Sequence, residues 1–123
     1  MRVIDSSGWI EYFTNGPVAD FYEPHITAPD ILTPSIVLYE VYKLIRREGT
    51  EEQALIAAAQ LQNTTIVELD ASLALEAAEI SLTHHLAMAD AIVYATALRF
   101  EAELFTSDTD LKALPGVTYI TNK

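Results

Sequence analysis

The chain has 123 residues, half of them hydrophobic and 20% charged, which predicts one packed globular domain over residues 1–123. It contains no cysteine, so disulfides and thiolate metal sites are excluded. The net charge of -11 argues against broad electrostatic capture of nucleic acid, because such binding depends on Lys and Arg neutralising phosphates.

The chain shows no membrane or export signal. No apolar run reaches the roughly 18–20 residues of a membrane span, and the start, Met-Arg-Val-Ile-Asp, lacks the apolar segment of a signal peptide. We therefore expect a cytoplasmic protein.

The first third of the chain alternates short apolar runs with helical patterns. A strand is predicted over residues 3–5, followed by a helix that Ser6 or Ser7 could cap. Pro17 can begin a second short helix, and Pro24 is expected to end it.

The alternation continues through the middle of the chain. A strand over 31–33 precedes a helix that begins at Pro34 or Ser35 and ends near Arg47. Thr50 and Gln53 have the spacing of a capping box, which predicts another helix to about residue 61.

The last elements complete the same pattern. A strand is predicted over 65–69, and Asp70 can cap a helix over 71–84. Further predictions are a helix over 88–102 and strands over 103–106 and 117–121. Apolar strands that alternate with helices are typical of a parallel sheet covered on both faces, so we predict a three-layer α/β/α domain with about five mainly parallel strands.

Several acidic residues lie beside these apolar elements. Asp5 and Asp108 lie at or just beyond the ends of predicted strands, Glu40 lies within a largely apolar helix, and Asp90 lies near the start of the helix over 88–102. Burying an isolated carboxylate is costly, because desolvation disfavours the charged form. We therefore expect these acids to meet around a shared cation, and Mg²⁺ and Mn²⁺ prefer such oxygen ligands.

Most of these acids also have a simpler interpretation as helix caps. Asp5 could cap the first helix, and Asp90 could cap its own helix or combine that role with the site. Asp108 could cap a short helix over 109–113, in whose first turn Asp110 would lie. We favour the metal site for Asp5 and Asp108, and both interpretations stay open for Asp110.

The motifs of other α/β sites are missing. The turn after the first strand has a single glycine, and no Gly-Lys-Ser/Thr sequence exists, so neither a dinucleotide turn nor a phosphate-binding P-loop is predicted. Lys43, Arg46 and Arg47 could hold an RNA backbone, although cations also suit the end of a helix.

Four motifs together resemble those of the PIN-domain family, and in particular its small VapC-type toxins. They are Val3-Ile-Asp-Ser-Ser7, Glu40 on a helix, Met88-Ala-Asp-Ala-Ile92, and Thr106-Ser-Asp-Thr-Asp-Leu111. The resemblance extends from Val3 to about Ile120. It implies Mg²⁺- or Mn²⁺-dependent cleavage of single-stranded RNA by the toxin of a type II toxin–antitoxin pair. It also implies a cognate antitoxin and a homodimer.

The resemblance assigns roles to individual residues. Asp5, Glu40, Asp90 and Asp108 match the family's catalytic, metal-binding acids. The supporting positions are Ser6 and Thr106, which match its small hydroxyl residues, and Asp110, which matches a second acid of variable role.

The sequence is also compatible with two other functions. A PIN-like module could bind RNA or a protein without cutting, which the acidic net charge favours and the complete set of acids opposes. A receiver-type signalling domain also gathers acids at strand ends, but it normally adds a lysine there, and none lies between Lys43 and Lys112.

Overall fold

The structure, a computed structural model, describes residues 1–122. Five strands form one sheet in the order β3-β2-β1-β4-β5, and every neighbouring pair is parallel. The strands are β1 (Arg2–Ile4), β2 (Ile31–Pro34), β3 (Thr65–Val67), β4 (Glu103–Thr106) and β5 (Val117–Tyr119). The predicted parallel α/β fold is confirmed.

The helices connect the strands and cover both faces of the sheet. They are α1 (Ser6–Phe13), α2 (Ala19–Ile26), α3 (Ser35–Glu48), α4 (Glu51–Gln62), α5 (Ala71–His84) and α6 (Met88–Arg99). Crossovers between parallel strands are right-handed, so α1 to α4 cover one face and α5 and α6 the other. Within residues 1–122, no helix combines the length and apolar character of a membrane span.

The sheet reverses its winding direction at β1. The chain moves from β1 outward to β2 and β3, and then returns to place β4 on the other side of β1. Ligand sites in open α/β sheets form at such a switch point, outside the carboxyl ends of the strands. Residues that follow β1 and β4 therefore meet at this edge, and Asp5 and Asp108 are among them.

Two predicted helix starts are confirmed in detail. Thr50 and Gln53 form a reciprocal capping box at the start of α4. The Asp70 carboxylate accepts a hydrogen bond from the Leu73 backbone N–H at the start of α5. Both caps satisfy N–H groups that have no partner within the helix.

The prediction that Pro24 ends a helix is wrong. Helix α2 begins at Ala19, runs through Pro24 and ends at Ile26. A proline at this position removes the bond to the Asp20 carbonyl, but Asp20 and Pro24 are both exposed, so water can satisfy that carbonyl. The predicted helix over 88–102 is also shorter, since α6 ends at Arg99.

Gly8 permits close packing of α1 against α2. A Cβ atom built on Gly8 would lie 2.3 Å from Cε1 of Tyr22, whose side chain is fully buried. Gly8→Ala should therefore lower the free energy of unfolding by about 1–2 kcal/mol, because overpacking outweighs the gain of roughly 1 kcal/mol in helix propensity. Thermal and urea unfolding measure this change.

Gly16→Ala is the matched control for that substitution. A Cβ atom at Gly16 would meet the carboxylate of Glu11, the end of a flexible side chain that can move aside. We expect a change within about 0.5 kcal/mol. Equal stability of the Gly8→Ala and Gly16→Ala variants would contradict this account of the α1–α2 contact.

Candidate functional site

Asp5 is the one charged residue that is buried within residues 1–122, with 3% of its surface exposed. It is also the N-cap of α1, since its Oδ1 accepts a hydrogen bond from the Ser6 backbone N–H at 2.9 Å. The prediction that Ser6 or Ser7 caps this helix is therefore wrong. Asp5 has both the cap role and the site role, because the chain leaves β1 at the switch point and begins α1 directly after Asp5.

Two hydroxyl groups donate to the other oxygen of Asp5. Thr106 Oγ1 lies 2.8 Å from Oδ2, and Ser7 Oγ lies 3.1 Å from it. Thr106 stands at the end of β4 and is 101 residues away in sequence, so the pairing of β1 with β4 creates this contact. The hydroxyl role that the resemblance implied for Thr106 agrees with this geometry, while the Ser7 contact was not predicted.

The loop after β4 places two further acids at the same edge. The backbone N–H of Asp108 donates to Thr106 Oγ1 at 3.0 Å, and the backbone N–H of Asp110 donates to Asp108 Oδ1 at 2.9 Å. Residues 109–113 form successive turns instead of the predicted short helix. Asp108 therefore closes a turn of its own loop and caps no helix, and Asp110 lies in no helical first turn.

Asp90 meets these two acids from the opposite layer. It lies in the first turn of α6, whose N-cap is Ala87, so the interpretation of Asp90 as the cap is wrong. One carboxylate oxygen from each of Asp90, Asp108 and Asp110 lies within 4.8 Å of the others. Asp90 and Asp108 are partly buried and Asp110 is exposed.

Glu40 approaches the same region from α3, where it is partly buried. Burial raises the pKa of the Glu40 carboxyl, and the negative charges of Asp5 and Asp108 raise it further. The Ser6 side chain opposes this rise in the pKa by favouring the charged form. Glu40 therefore lies in the field of Asp5 and Asp108, outside the group of three formed by Asp90, Asp108 and Asp110.

Burial and neighbouring negative charges also raise the pKa values of Asp5 and Asp90. Burial raises the pKa of Asp5, against the effect of its three hydrogen bonds, and the charge of Asp108 adds to the rise. Burial, followed by the charges of Asp108 and Asp5, raises the pKa of Asp90 to about 7. Crowded carboxylates disfavour one another's charged forms, and a cation would relieve this repulsion.

No basic side chain within residues 1–122 lies within ion-pair distance of these acids. The ion pairs of that range involve other carboxylates, those of Asp30, Glu48, Glu51, Asp70 and Glu76. The donor set around the switch point is therefore carboxylate oxygen with hydroxyl support. That set fits a hard divalent cation such as Mg²⁺ or Mn²⁺.

The basic strip of α3 is a solvated helix end. Arg46 and Arg47 lie in the last turn, where they pair at the surface with Glu51 and Glu48, and Lys43 donates to the Tyr39 hydroxyl. All three cations are exposed. Their placement agrees with the simpler interpretation, in which cations suit the carbonyl end of a helix.

The raised pKa of Asp90 predicts that the metal-free protein becomes less stable as the pH rises. Between pH 3.8, the ordinary pKa of Asp, and about 7, the unfolded chain loses a proton that native Asp90 retains. The free energy of unfolding then falls with increasing pH. Thermal unfolding of chelator-treated protein from pH 5 to pH 8 measures this trend.

His25 changes the free energy of unfolding with pH in the opposite direction, so the measurement needs a control. Burial and the nearby Arg2 lower the pKa of His25 below 6.5, so His25 favours folding as the pH rises to that value. The difference between wild type and Asp90→Asn isolates the Asp90 contribution, since His25 is common to both. A difference in stability that does not grow between pH 5 and pH 8 would contradict the assignment.

Comparisons with known proteins agree with the fold. A model of the PIN domain family matches residues 2–117. A toxin–antitoxin complex from Klebsiella pneumoniae superposes with a TM-score of 0.81 at 23% identity, covering 96% of both chains. No curated protein sequence gives a significant match.

Two further solved structures share the architecture. VapC20 of Mycobacterium tuberculosis, described as a sarcin–ricin loop cleaving toxin, has a TM-score of 0.77 at 20% identity and covers 92% of this chain and 94% of its own. VapBC2 of Rickettsia felis, bound to a DNA fragment from its promoter, has a TM-score of 0.74 at 16% identity. The match covers 97% of this chain and 96% of the Rickettsia chain. At these identities the likeness shows the fold alone.

Proposed function

The chain belongs to the PIN domain family, and we propose that it is a Mg²⁺- or Mn²⁺-dependent endoribonuclease that cleaves single-stranded RNA. The observation that carries this proposal is the group of Asp90, Asp108 and Asp110 oxygens beside Asp5 and Glu40, at the switch point of the sheet. Uncompensated carboxylates at such an edge are suited to a cation-assisted reaction on a phosphodiester.

Each acid has a distinct part in this proposal. Asp90, Asp108 and Asp110 would hold the cation, and Asp5 and Glu40 would complete the site. When bound, a divalent ion polarises a phosphoryl oxygen and activates water for attack. Asp5 is held in one orientation by three hydrogen bonds, whereas Asp90, with a pKa raised to about 7 in the metal-free protein, would give up its proton when a cation binds.

The test of this activity is cleavage of a fluorescently labelled single-stranded RNA by purified protein. We expect cleavage with millimolar Mg²⁺ or Mn²⁺ and none after treatment with EDTA. Restored activity on adding Mn²⁺ back is the control against damage by the chelator. Cleavage that persists in EDTA would contradict a metal-dependent reaction.

A non-catalytic PIN-like module that binds RNA or a protein is the second candidate. The net charge of -11 favours it, because the surface has few cations to hold an RNA backbone. Metal binding without cleavage of any RNA in the same assay would support this alternative.

We further propose that the protein is the toxin of a type II toxin–antitoxin pair and forms a homodimer. The toxin–antitoxin complexes among the similar structures support this role, and the strong negative charge suits a basic antitoxin segment. Exposed apolar side chains also offer interface area. Leu75 and Leu82 on α5 and Phe21 on α2 are 71%, 73% and 60% exposed.

Both assemblies have direct tests. Light scattering at high protein concentration should give the mass of two chains, and a strict monomer would contradict the dimer. A gene next to this one that encodes a short DNA-binding protein would identify the antitoxin. The affinity of that antitoxin for this protein should fall as the salt concentration rises, because salt screens the attraction between their opposite charges.

A further inference from the structure

A chain of hydrogen bonds runs behind the acidic site and begins at Tyr22. This residue, on α2, is fully buried, and its hydroxyl oxygen lies 2.7 Å from Ser107 Oγ. Ser107 Oγ in turn donates to the Ile120 backbone carbonyl at 2.7 Å. The contacts join α2, the loop after β4 and the segment that follows β5.

The direction of each hydrogen bond in this chain follows from the groups involved. A carbonyl oxygen can only accept, so the single hydroxyl hydrogen of Ser107 points to Ile120. Tyr22 must then donate its own hydrogen to Ser107. Burial raises the pKa of Tyr22 to about 12, which keeps this donor protonated at neutral pH.

The backbone of Ser107 extends the chain to Asp5. Its N–H donates to Ser7 Oγ at 3.0 Å, which leaves the Ser7 hydrogen to donate to Asp5 Oδ2 at 3.1 Å. Thr106 donates to the same oxygen, and the Ser6 N–H donates to Oδ1. A carboxylate has about four acceptor positions, so these three donors leave about one for a ligand.

We propose that Tyr22 and Ser107 are positioning residues that fix the Asp5 carboxylate through Ser7, so that its remaining acceptor position faces Asp90 and Asp108. This proposal rests on the proposed function, in which Asp5 contributes to a cation site. Replacing a residue that orients a metal ligand through hydrogen bonds typically weakens metal binding by about 10–100-fold.

The packing around Tyr22 supports a positional role. Gly8 lacks a Cβ atom at the point where the Tyr22 ring passes, and any side chain there would displace the ring. The Tyr22 hydroxyl therefore has a defined place relative to α1, the helix that begins at Asp5 and carries Ser7. A shift of Tyr22 would move Ser107 and, through it, the Ser7 hydroxyl.

The test replaces Tyr22 with Phe, which removes only the hydroxyl group. Tyr94→Phe is the matched control, since the Tyr94 hydroxyl also donates one hydrogen bond, to the Pro115 carbonyl at 2.8 Å. Isothermal titration calorimetry with MnCl₂ alone measures metal affinity without RNA. We expect Tyr22→Phe to weaken Mn²⁺ binding by about 10-fold and Tyr94→Phe by less than about 2-fold.

A double-mutant cycle separates positioning from a general loss of stability. Ser7→Ala should weaken Mn²⁺ binding at least as much as Tyr22→Phe, and the double variant should be little weaker than Ser7→Ala, because both act through one path. Effects on affinity that simply add would overturn the proposal. Circular dichroism checks folding, and Ser107→Ala replaces Tyr22→Phe in the cycle if the latter does not fold.

The outcomes distinguish this proposal from the proposed function. Equal Mn²⁺ affinity in wild type and Tyr22→Phe overturns the positioning role, even if wild type cleaves RNA. The expected order of affinities in a protein that cleaves no RNA supports the positioning role and contradicts the ribonuclease. A wild-type protein that binds no Mn²⁺ overturns both.

Discussion

Asp90→Asn is expected to abolish metal-dependent RNA cleavage while making the metal-free protein more stable at pH 8. The substitution removes one negative charge from the group formed with Asp108 and Asp110 but little volume. Cleavage should fall by at least about 100-fold, because several kcal/mol of transition-state stabilisation depend on the ion.

The gain in stability has a separate physical cause. Wild-type Asp90, with its pKa raised to about 7, is charged in the folded protein at pH 8 and repelled by Asp108 and Asp5. Each tenfold change in proton affinity corresponds to roughly 1.4 kcal/mol, and solvent screening of a partly exposed group reduces the total. We therefore expect about 1–3 kcal/mol of stabilisation at pH 8. The gain should shrink as the pH falls below 7 and vanish near pH 3.8, where Asp90 of the unfolded chain is protonated as well.

Asp20→Asn is the matched control for this pair of measurements. Asp20 also lies in the first turn of a helix, α2, but it is exposed and is not part of the acidic group. The same loss of a charge next to a helix N-terminus should cost about 0.3–1 kcal/mol and leave cleavage unchanged. Wild-type cleavage by folded Asp90→Asn protein would remove Asp90 from the site.

Millimolar Mn²⁺ at about 100 times Kd is expected to raise the melting temperature of the wild-type protein by about 11 °C at pH 8. Only the folded chain brings Asp90, Asp108 and Asp110 together, so the ion binds the native state and shifts the equilibrium. A concentration of 100 times Kd gives about 2.7 kcal/mol, and each kcal/mol moves the melting temperature of a domain of this size by about 4 °C.

The stabilisation by Mn²⁺ should shrink as the pH falls. Protons compete with the ion for the carboxylates, and the raised pKa of Asp90 places this competition near neutral pH. Differential scanning fluorimetry at pH 5, 6, 7 and 8 measures the effect, with the Asp90→Asn variant as the control. A wild-type melting temperature that ignores Mn²⁺ at pH 8 would count against a cation site at these acids.

Local sequence was sufficient to predict much of the fold. The apolar strands predicted a parallel sheet, and Asp70 and the Thr50–Gln53 pair predicted helix starts, because these signals act over a few residues. Prediction from local sequence failed where packing against distant residues determines whether a helix continues. Pro24 continues α2 because the carbonyl it leaves unpaired is exposed, and the exposure of a helix face is fixed by packing.

The order of acids along the chain likewise indicated a site but not its arrangement. Sequence order placed Asp5 and Asp108 after strands, and parallel strands end at one edge, so their approach could be predicted. The tertiary structure alone decided that Asp110 joins Asp90 and Asp108, since this depends on the turn that replaces a predicted helix.

The environment of Asp5 also depends partly on local sequence and partly on tertiary structure. Its burial follows from an apolar strand that leads directly into a helix, but its hydrogen bond from Thr106 joins residues 101 positions apart. The link from Tyr22 through Ser107 to Ser7 likewise connects α2, the loop after β4 and α1. Sequence patterns describe periods of a few residues, whereas such contacts exist only after strand pairing and helix packing have brought distant segments to one edge of the sheet.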